Sequence, residues 1–257
     1  MTAEPVSVVA PALPRPLLLR QRWCDLAFLH WAVDPAVVAG FFPPGARPDV
    51  LDGRTYVGLV PFRMIGAGPA VGPAVPWVGT FLETNVRLYS VDATGRRGVV
   101  FLSLDADRAV TVAAARSAFG LPYRWSRMQF SADGDERRYT TQLRRGAVSS
   151  HIAIRAGGPA PDGTIERFLT ARWGLHVARF GRTWYLPNAH PPWPLRTAEV
   201  LALDDGLVAA AGLGGLARRP PDHVMFSEGV AATFGSPTPA TRPRAVGGSF
   251  PGRLRNP

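Results

Sequence analysis

The sequence predicts a mainly β fold with a few peripheral helices, and three observations carry that prediction. Glycine and proline, 27 and 26 of 257 residues, make turns frequent and disfavour a helical bundle. Several segments alternate apolar and polar residues with the period of two that a half-buried strand requires. Hydrophobic residues reach 46%, with 7 Trp, 13 Phe and 5 Tyr, enough to build one large aromatic-rich core. A single all-β barrel or sandwich is therefore the leading architecture.

Residues 1–16 read as an irregular leader, interrupted by Pro5, Pro11, Pro14 and Pro16, and the main domain is expected over 17–234. A first strand, Leu17–Trp23, is followed by the aromatic segment Phe28-Leu29-His30-Trp31. A short helix then opens with Asp34 as N-cap and Pro35 at its first position. Asp52-Gly53 predicts a two-residue hairpin turn joining Pro48–Leu51 to a strand over Arg54–Met64. Gly66–Val78 reads as a Gly/Pro loop long enough to cover a pocket mouth. Thr80–Tyr89 alternates, with Leu82, Thr84, Val86 and Leu88 on one face and Phe81, Glu83, Asn85, Arg87 and Tyr89 on the other. Gly98–Asp105 is a near-continuous apolar strand, expected to be buried on both faces.

Arg108–Phe119 has helical composition, and Gly120 is placed as its C-terminal cap before Leu121-Pro122. Strands over Tyr123–Ser131 and Arg137–Arg145 flank the turn Asp133-Gly134-Asp135, and Ala147–Arg155 extends the meander. A short helix over Thr164–Trp173, capped by Thr164, precedes strands Leu175–Phe180 and Arg182–Leu186 around Gly181. Pro194–Asp204 and His223–Phe234 add strands, with a helical turn over Gly206–Leu213. From Gly235 onward Pro, Gly, Ser and Arg dominate, which predicts a disordered tail over 235–257.

The chain contains no lysine, so all 29 basic residues are arginine and the formal net charge is +10. No side chain can form a Schiff base. The arginines form no stripe interleaved with aromatics, so nucleic acid is not an expected partner. Cys24 is the single cysteine, which rules out an intramolecular disulfide and fits a cytoplasmic location. The longest apolar stretch, Leu207–Ala217, falls short of the ~20 residues needed to span a bilayer, so no membrane is expected. His30, His151, His176, His190 and His223 show no metal-ligand spacing, and no metal is expected. Gly212-Leu-Gly-Gly215 lacks the strand and helix of a nucleotide loop, and no cofactor is expected.

Several motifs occur together in order: Trp23-Cys-Asp-Leu-Ala-Phe-Leu-His30-Trp31, Tyr56-Val-Gly-Leu-Val-Pro-Phe62-Arg63-Met64, and Phe81-Leu-Glu83-Thr-Asn85-Val-Arg87-Leu-Tyr89. Gly98 to Asp105, Ala115-Arg116-Ser-Ala-Phe119-Gly-Leu-Pro122-Tyr123 and His190-Pro-Pro-Trp193-Pro-Leu195 complete the set. Over about residues 17–234 this pattern resembles the DUF2071 (YqjF-like) family, grouped with the acetoacetate decarboxylase-like superfamily. The resemblance implies an antiparallel closed or nearly closed β-barrel, helices packed outside and a pocket inside. The superfamily's decarboxylase uses a lysine perturbed by a neighbouring lysine, an example of a nucleophile activated by another cation. Where its Pro-Lys-Lys would fall, this chain reads Pro122-Tyr123-Arg124. Schiff-base decarboxylation is therefore not carried over.

Strands of a small barrel point alternate residues inward, so Glu83, Asn85 and Arg87 are expected to line one wall of a polar cavity. The resemblance places Glu83 at the superfamily's pocket glutamate. In a low-dielectric cavity Glu83 is the candidate base and Arg87 the candidate anion anchor. A Glu–Arg pair that merely fills the interior is the competing reading. Tyr123 and Arg116 flank the place where the superfamily puts its chemistry, as a phenol donor and a second cation. Arg63 is a further candidate pocket cation, and His30 a candidate proton shuttle or a satisfied buried histidine. His190 is expected to order a turn. The expected partner is a small, anionic ligand or substrate, and a homo-oligomer is left open. Two functions follow: proton transfer on a small carboxylate or keto acid assisted by Glu83, or small-molecule binding without turnover.

Overall fold

Alternating side chains and left-handed turn glycines divide the chain into strands, and the computed structural model describes residues 2–240 apart from Ala74. The strands are β1 (Leu19–Val33), β2 (Ala46–Pro48), β3 (Thr55–Pro69), β4 (Phe81–Asp92), β5 (Arg97–Ala106), β6 (Tyr123–Asp133) and β7 (Glu136–Leu143). They continue as β8 (Ser149–Pro159), β9 (Gly174–Arg179), β10 (Arg182–Ala189), β11 (Leu195–Asp205), β12 (His223–Phe234) and β13 (Thr238–Pro239). Four short helices interrupt them: α1 (Pro35–Val38), α2 (Ala109–Phe119), α3 (Thr164–Thr170) and α4 (Leu207–Ala210). Among the described residues no helix is long and apolar enough to cross a membrane.

The fold is mainly β, as the alternation predicts. Hydrogen bonding runs β5-β6-β7-β8-β11-β12-β1-β3-β4, and β4 pairs back onto β5. A second path crosses from β5 through β9 and β10 to β12. Both paths close through β12, β1, β3, β4 and β5, so β1, β3 and β4 lie between two rings of strands and are buried on both faces. Leu26 and Phe28 of β1 join one apolar cluster with Phe62 and Leu104. Ala27, Leu29 and Trp31 join another with Leu59, Leu88 and Ile152. Burying a large apolar side chain is worth roughly 1.5–3 kcal/mol, so these doubly packed strands anchor the fold.

The pairing is not antiparallel throughout. Strand β5 is parallel to β6, because α2 carries the chain back across the sheet before β6 begins, and it is also parallel to β9. Gly120 ends that helix in the left-handed region at φ 68°, as expected of a C-cap. Asp34 caps α1 by accepting from the Ala36 amide at 2.8 Å. Asp52 and Gly53 form the expected two-residue turn with positive φ, and Leu51 pairs with Arg54 across it, but the ladder extends no further. The segment before the turn pairs with β4 through β2, while β3 pairs with β1 and β4. Gly163, not Thr164, is the N-cap of α3. The tail expected from residue 235 begins with β13, which pairs with β10 at Trp184 and Tyr185. Residues 241–257 lie outside the described residues.

A bulge in β1 sets the faces of the sheet. Asp25 has φ 50°, and the pairing of β1 with β3 slips by one residue between Cys24 and Leu29, so Trp23 and Phe28 come to the same side. The bulge is clamped by Arg63 and Arg137 on the Asp25 carboxylate and by the Tyr139 hydroxyl donating to its carbonyl at 2.7 Å. Opposite it, Gly229 has φ 122°, and a Cβ there would meet the Trp23 carbonyl oxygen at 1.9 Å.

Candidate functional site

A cavity of about 330 Å³ lies beside β1, β3, β4 and β5 and is bordered by α2, β9 and β10. Its walls are mostly apolar, with Trp23, Phe28, Phe62, Phe101 and Trp193 among them. Polar side chains enter it from few positions. The alternation of β4 turns Phe81, Glu83, Asn85 and Arg87 into the cavity, as the sequence pattern requires.

Glu83 is 3% exposed. The Tyr123 hydroxyl, at the start of β6, donates to its Oε2 at 2.7 Å. Burial pushes the Glu83 carboxyl up to about 7, although hydrogen bonds from Tyr123 and Asn85 pull the other way. Burial, and then the neighbouring Glu83 charge, raise the Tyr123 phenol well above its ordinary value, so it stays a proton donor. The residue after it, Arg124, turns to the opposite face and pairs with Asp105 at 2.6 Å.

Arg87 donates to the Tyr89 hydroxyl at 3.1 Å and lies 5.6 Å from the Phe28 ring, while its buried Nε has no partner. Among the described residues it makes no ion pair. Arg172, just beyond α3, also lines the cavity and is 6% exposed. Its Nε donates to the Phe168 carbonyl at 2.7 Å and its Nη1 pairs with Asp49 at 2.5 Å. Arg97 shares the same Asp49 carboxylate, so one negative charge serves two guanidiniums. Of these groups Arg87 and Arg172 reach the cavity wall, where Glu83 is the carboxylate among the described lining residues.

The structure brings Glu83, Asn85, Arg87 and Tyr123 together and leaves the other candidates elsewhere. His30 is fully buried behind Tyr89, with Nε2 2.6 Å from that hydroxyl, and is not part of the cavity lining. Burial and the Arg87 charge hold His30 well below its ordinary value, so it is neutral. Gly58 makes room for it: a Cβ there would lie 3.2 Å from both His30 and Arg87. Arg63 points away from the cavity, because Phe62 and Met64 on either side of it point in, and it pairs with Asp25. Arg116 is exposed on α2, while Ala115 and Phe119 of that helix face the cavity.

Sequence reasoning missed Arg172 and Asn188, and it gave His190 a turn-ordering role without placing it at the cavity. Asn188 and Arg172 sit at the ends of elements, where no periodicity marks an inward face. His190 lines the cavity among Trp23, Trp173 and Trp193, with Nδ1 2.7 Å from the Pro191 carbonyl. Its place in the His-Pro-Pro-Trp motif was the one available signal. No group of three or more His, Cys, Asp or Glu side chains among the described residues is arranged to hold a metal ion.

The DUF2071 family, described as an uncharacterized conserved protein, matches residues 20–231. The chain belongs to this family. Uncharacterized protein YqjF of Bacillus subtilis (strain 168) is 31% identical over 186 residues, covering 71% of this chain and 76% of YqjF. Among solved structures, an acetoacetate decarboxylase-like enzyme from Sphingomonas wittichii RW1 matches with a TM-score of 0.62 at 12% identity, covering 86% of this chain and 92% of that one. The enduracididine biosynthesis enzyme MppR matches with a TM-score of 0.61 at 14% identity, covering 91% and 92%. Acetoacetate decarboxylase from Legionella pneumophila matches at 0.58 and 13%, covering 88% of each chain. This DUF2071 member thus has the acetoacetate decarboxylase-like fold.

Proposed function

We propose that the chain is an enzyme that moves a proton on a small carboxylate or keto acid, with Glu83 as base and no covalent imine. The observation that carries this reading is a carboxyl group poised at about 7 inside a cavity whose cations outnumber its ionised carboxylates. Near neutral pH about half of such a group is ionised, the balance that suits a general base. In this reading the strand ring acts as a closed barrel that keeps bulk water from the reacting atoms.

The ionised Glu83 takes the proton from the carbon next to the keto group, and the electron pair moves onto the carbonyl oxygen. The resulting oxyanion is stabilised by one arginine of the Arg87 and Arg172 pair, while the other holds the substrate carboxylate. Return of the proton from Glu83 completes the transfer. Tyr123 orients Glu83 through its hydrogen bond. With no lysine in the sequence, no side chain can form an imine with the substrate. The MppR structure, which holds a condensation product of pyruvate and imidazole 4-carboxaldehyde, supports a keto-acid ligand for this fold.

The test is proton exchange in D2O, followed by loss of the C–H signal of pyruvate or acetoacetate in 1H NMR. The expected result is exchange that Glu83→Gln slows by at least about 100-fold. Equal exchange by the variant overturns the role of Glu83. Binding without exchange supports the second reading, a non-catalytic binding pocket, which the unpaired Arg87 charge alone would satisfy.

A further inference from the structure

We infer that the acid taken by this cavity has an aromatic or similarly bulky apolar body, seated against Trp23, Phe28 and Trp193, with its carboxylate on Arg172. The inference deepens the reading above and rests on it for the anionic end.

The volume comes first. A cavity of about 330 Å³ enters the range of roughly 300–1,000 Å³ that holds drug-sized ligands, and a four-carbon keto acid leaves most of it unfilled. The shape of the wall comes next. Trp23 and Trp193 stack with centroids 5.8 Å apart and planes 10° apart. Phe28 meets Trp193 edge-on at 5.3 Å, and Phe234 meets Trp23 edge-on at 6.1 Å. Such a cluster offers both flat faces and ring edges to another aromatic group. It adjoins the cationic end, because the Arg87 guanidinium lies over Phe28 and the Trp193 Nε1 donates to the Thr170 carbonyl at 3.2 Å, two residues before Arg172.

Arg172 is the better anchor for the carboxylate. Two of its donor groups are already used, on Phe168 and Asp49, which fixes the side chain. Its Nη2 is buried without a partner, as is the Oδ1 of Asn188, also 6% exposed and also in the lining. A buried guanidinium donor without an acceptor is costly, and a carboxylate is the group that matches its geometry. Arg87 also has a buried donor without a partner, its Nε, but no carboxylate fixes its side chain, and its Nη2 is turned to Tyr89 and the Leu169 carbonyl.

Isothermal titration of the full chain with pyruvate, phenylpyruvate and the neutral phenylacetone tests this. Phenylpyruvate is expected to bind at least tenfold more tightly than either, each step about 1.4 kcal/mol. Trp193→Ala is expected to abolish the first ratio while leaving pyruvate binding in place, and Trp193→Phe to restore part of it. Arg172→Gln is expected to abolish the second. Pyruvate binding as tightly as phenylpyruvate overturns the aromatic body and spares the anion site. Phenylacetone binding as tightly overturns the carboxylate anchor. Failure of both acids at millimolar concentration overturns this inference and the proposed function together. Should a variant not fold, the two ratios in the unmodified protein decide.

Discussion

Replacing Glu83 by Gln should change how stability depends on pH, and the size of the change follows from the structure. Burial raises the carboxyl from about 4.5 to about 7, so the folded state keeps a proton that the unfolded chain releases near pH 4.5. Stability from this group is therefore fully present below about pH 4.5 and is lost as pH rises through 7. A tenfold difference in proton affinity between the folded and unfolded states is worth about 1.4 kcal/mol, so the rise makes the loss about 3 kcal/mol. Gln resembles the protonated carboxyl and still accepts from Tyr123, so the variant escapes this loss. The assay is thermal unfolding of both proteins between pH 4.5 and 8.5, read as the difference between them so that other titrating groups cancel. Wild type is expected to lose roughly 6–12 °C against the variant across that range. A difference that stays flat with pH would refute the account of Glu83 as a buried carboxyl poised near neutrality.

Three further outcomes follow from the same geometry. Tyr123→Phe removes a hydrogen bond that holds the Glu83 carboxyl down, so its titration, followed by 13C NMR, should move above 7. Asp49→Asn leaves Arg97 and Arg172 without their shared charge, and urea unfolding should show a loss of about 3–5 kcal/mol, whereas less than about 1 would contradict the pairing. Gly229→Ala meets the Trp23 carbonyl at the bulge and should cost at least about 3 kcal/mol, while Gly53→Ala, with positive φ but open space, should cost about 1. Equal losses in a denaturant titration would remove the bulge from the explanation.

The polar wall of the site was legible because β4 is regular. Glu83, Asn85 and Arg87 share a face by alternation alone, and the structure turns that face into the cavity. Arg63 illustrates the same rule applied incompletely, since its neighbours Phe62 and Met64 already claim the inward direction of β3. The β1 wall was not legible. Whether Trp23 and Phe28 share a face depends on the Asp25 bulge, and that is held by Arg63, Arg137 and Tyr139, the last two more than 100 residues away in sequence. The parallel pairing of β5 was hidden for a similar reason, because it depends on where α2 delivers the chain. Arg172 carries no local mark at all: its position is fixed by Asp49, which no spacing rule connects to it.

The titration of the Glu83 carboxyl itself tests the central claim most directly. With the protein labelled at glutamate Cδ and the signal assigned by its loss in Glu83→Gln, 13C NMR across pH 3–10 should give a midpoint at about 7, moving when an acid occupies the cavity. A midpoint in the ordinary carboxylate range near 4.5, unmoved by any acid, would contradict it.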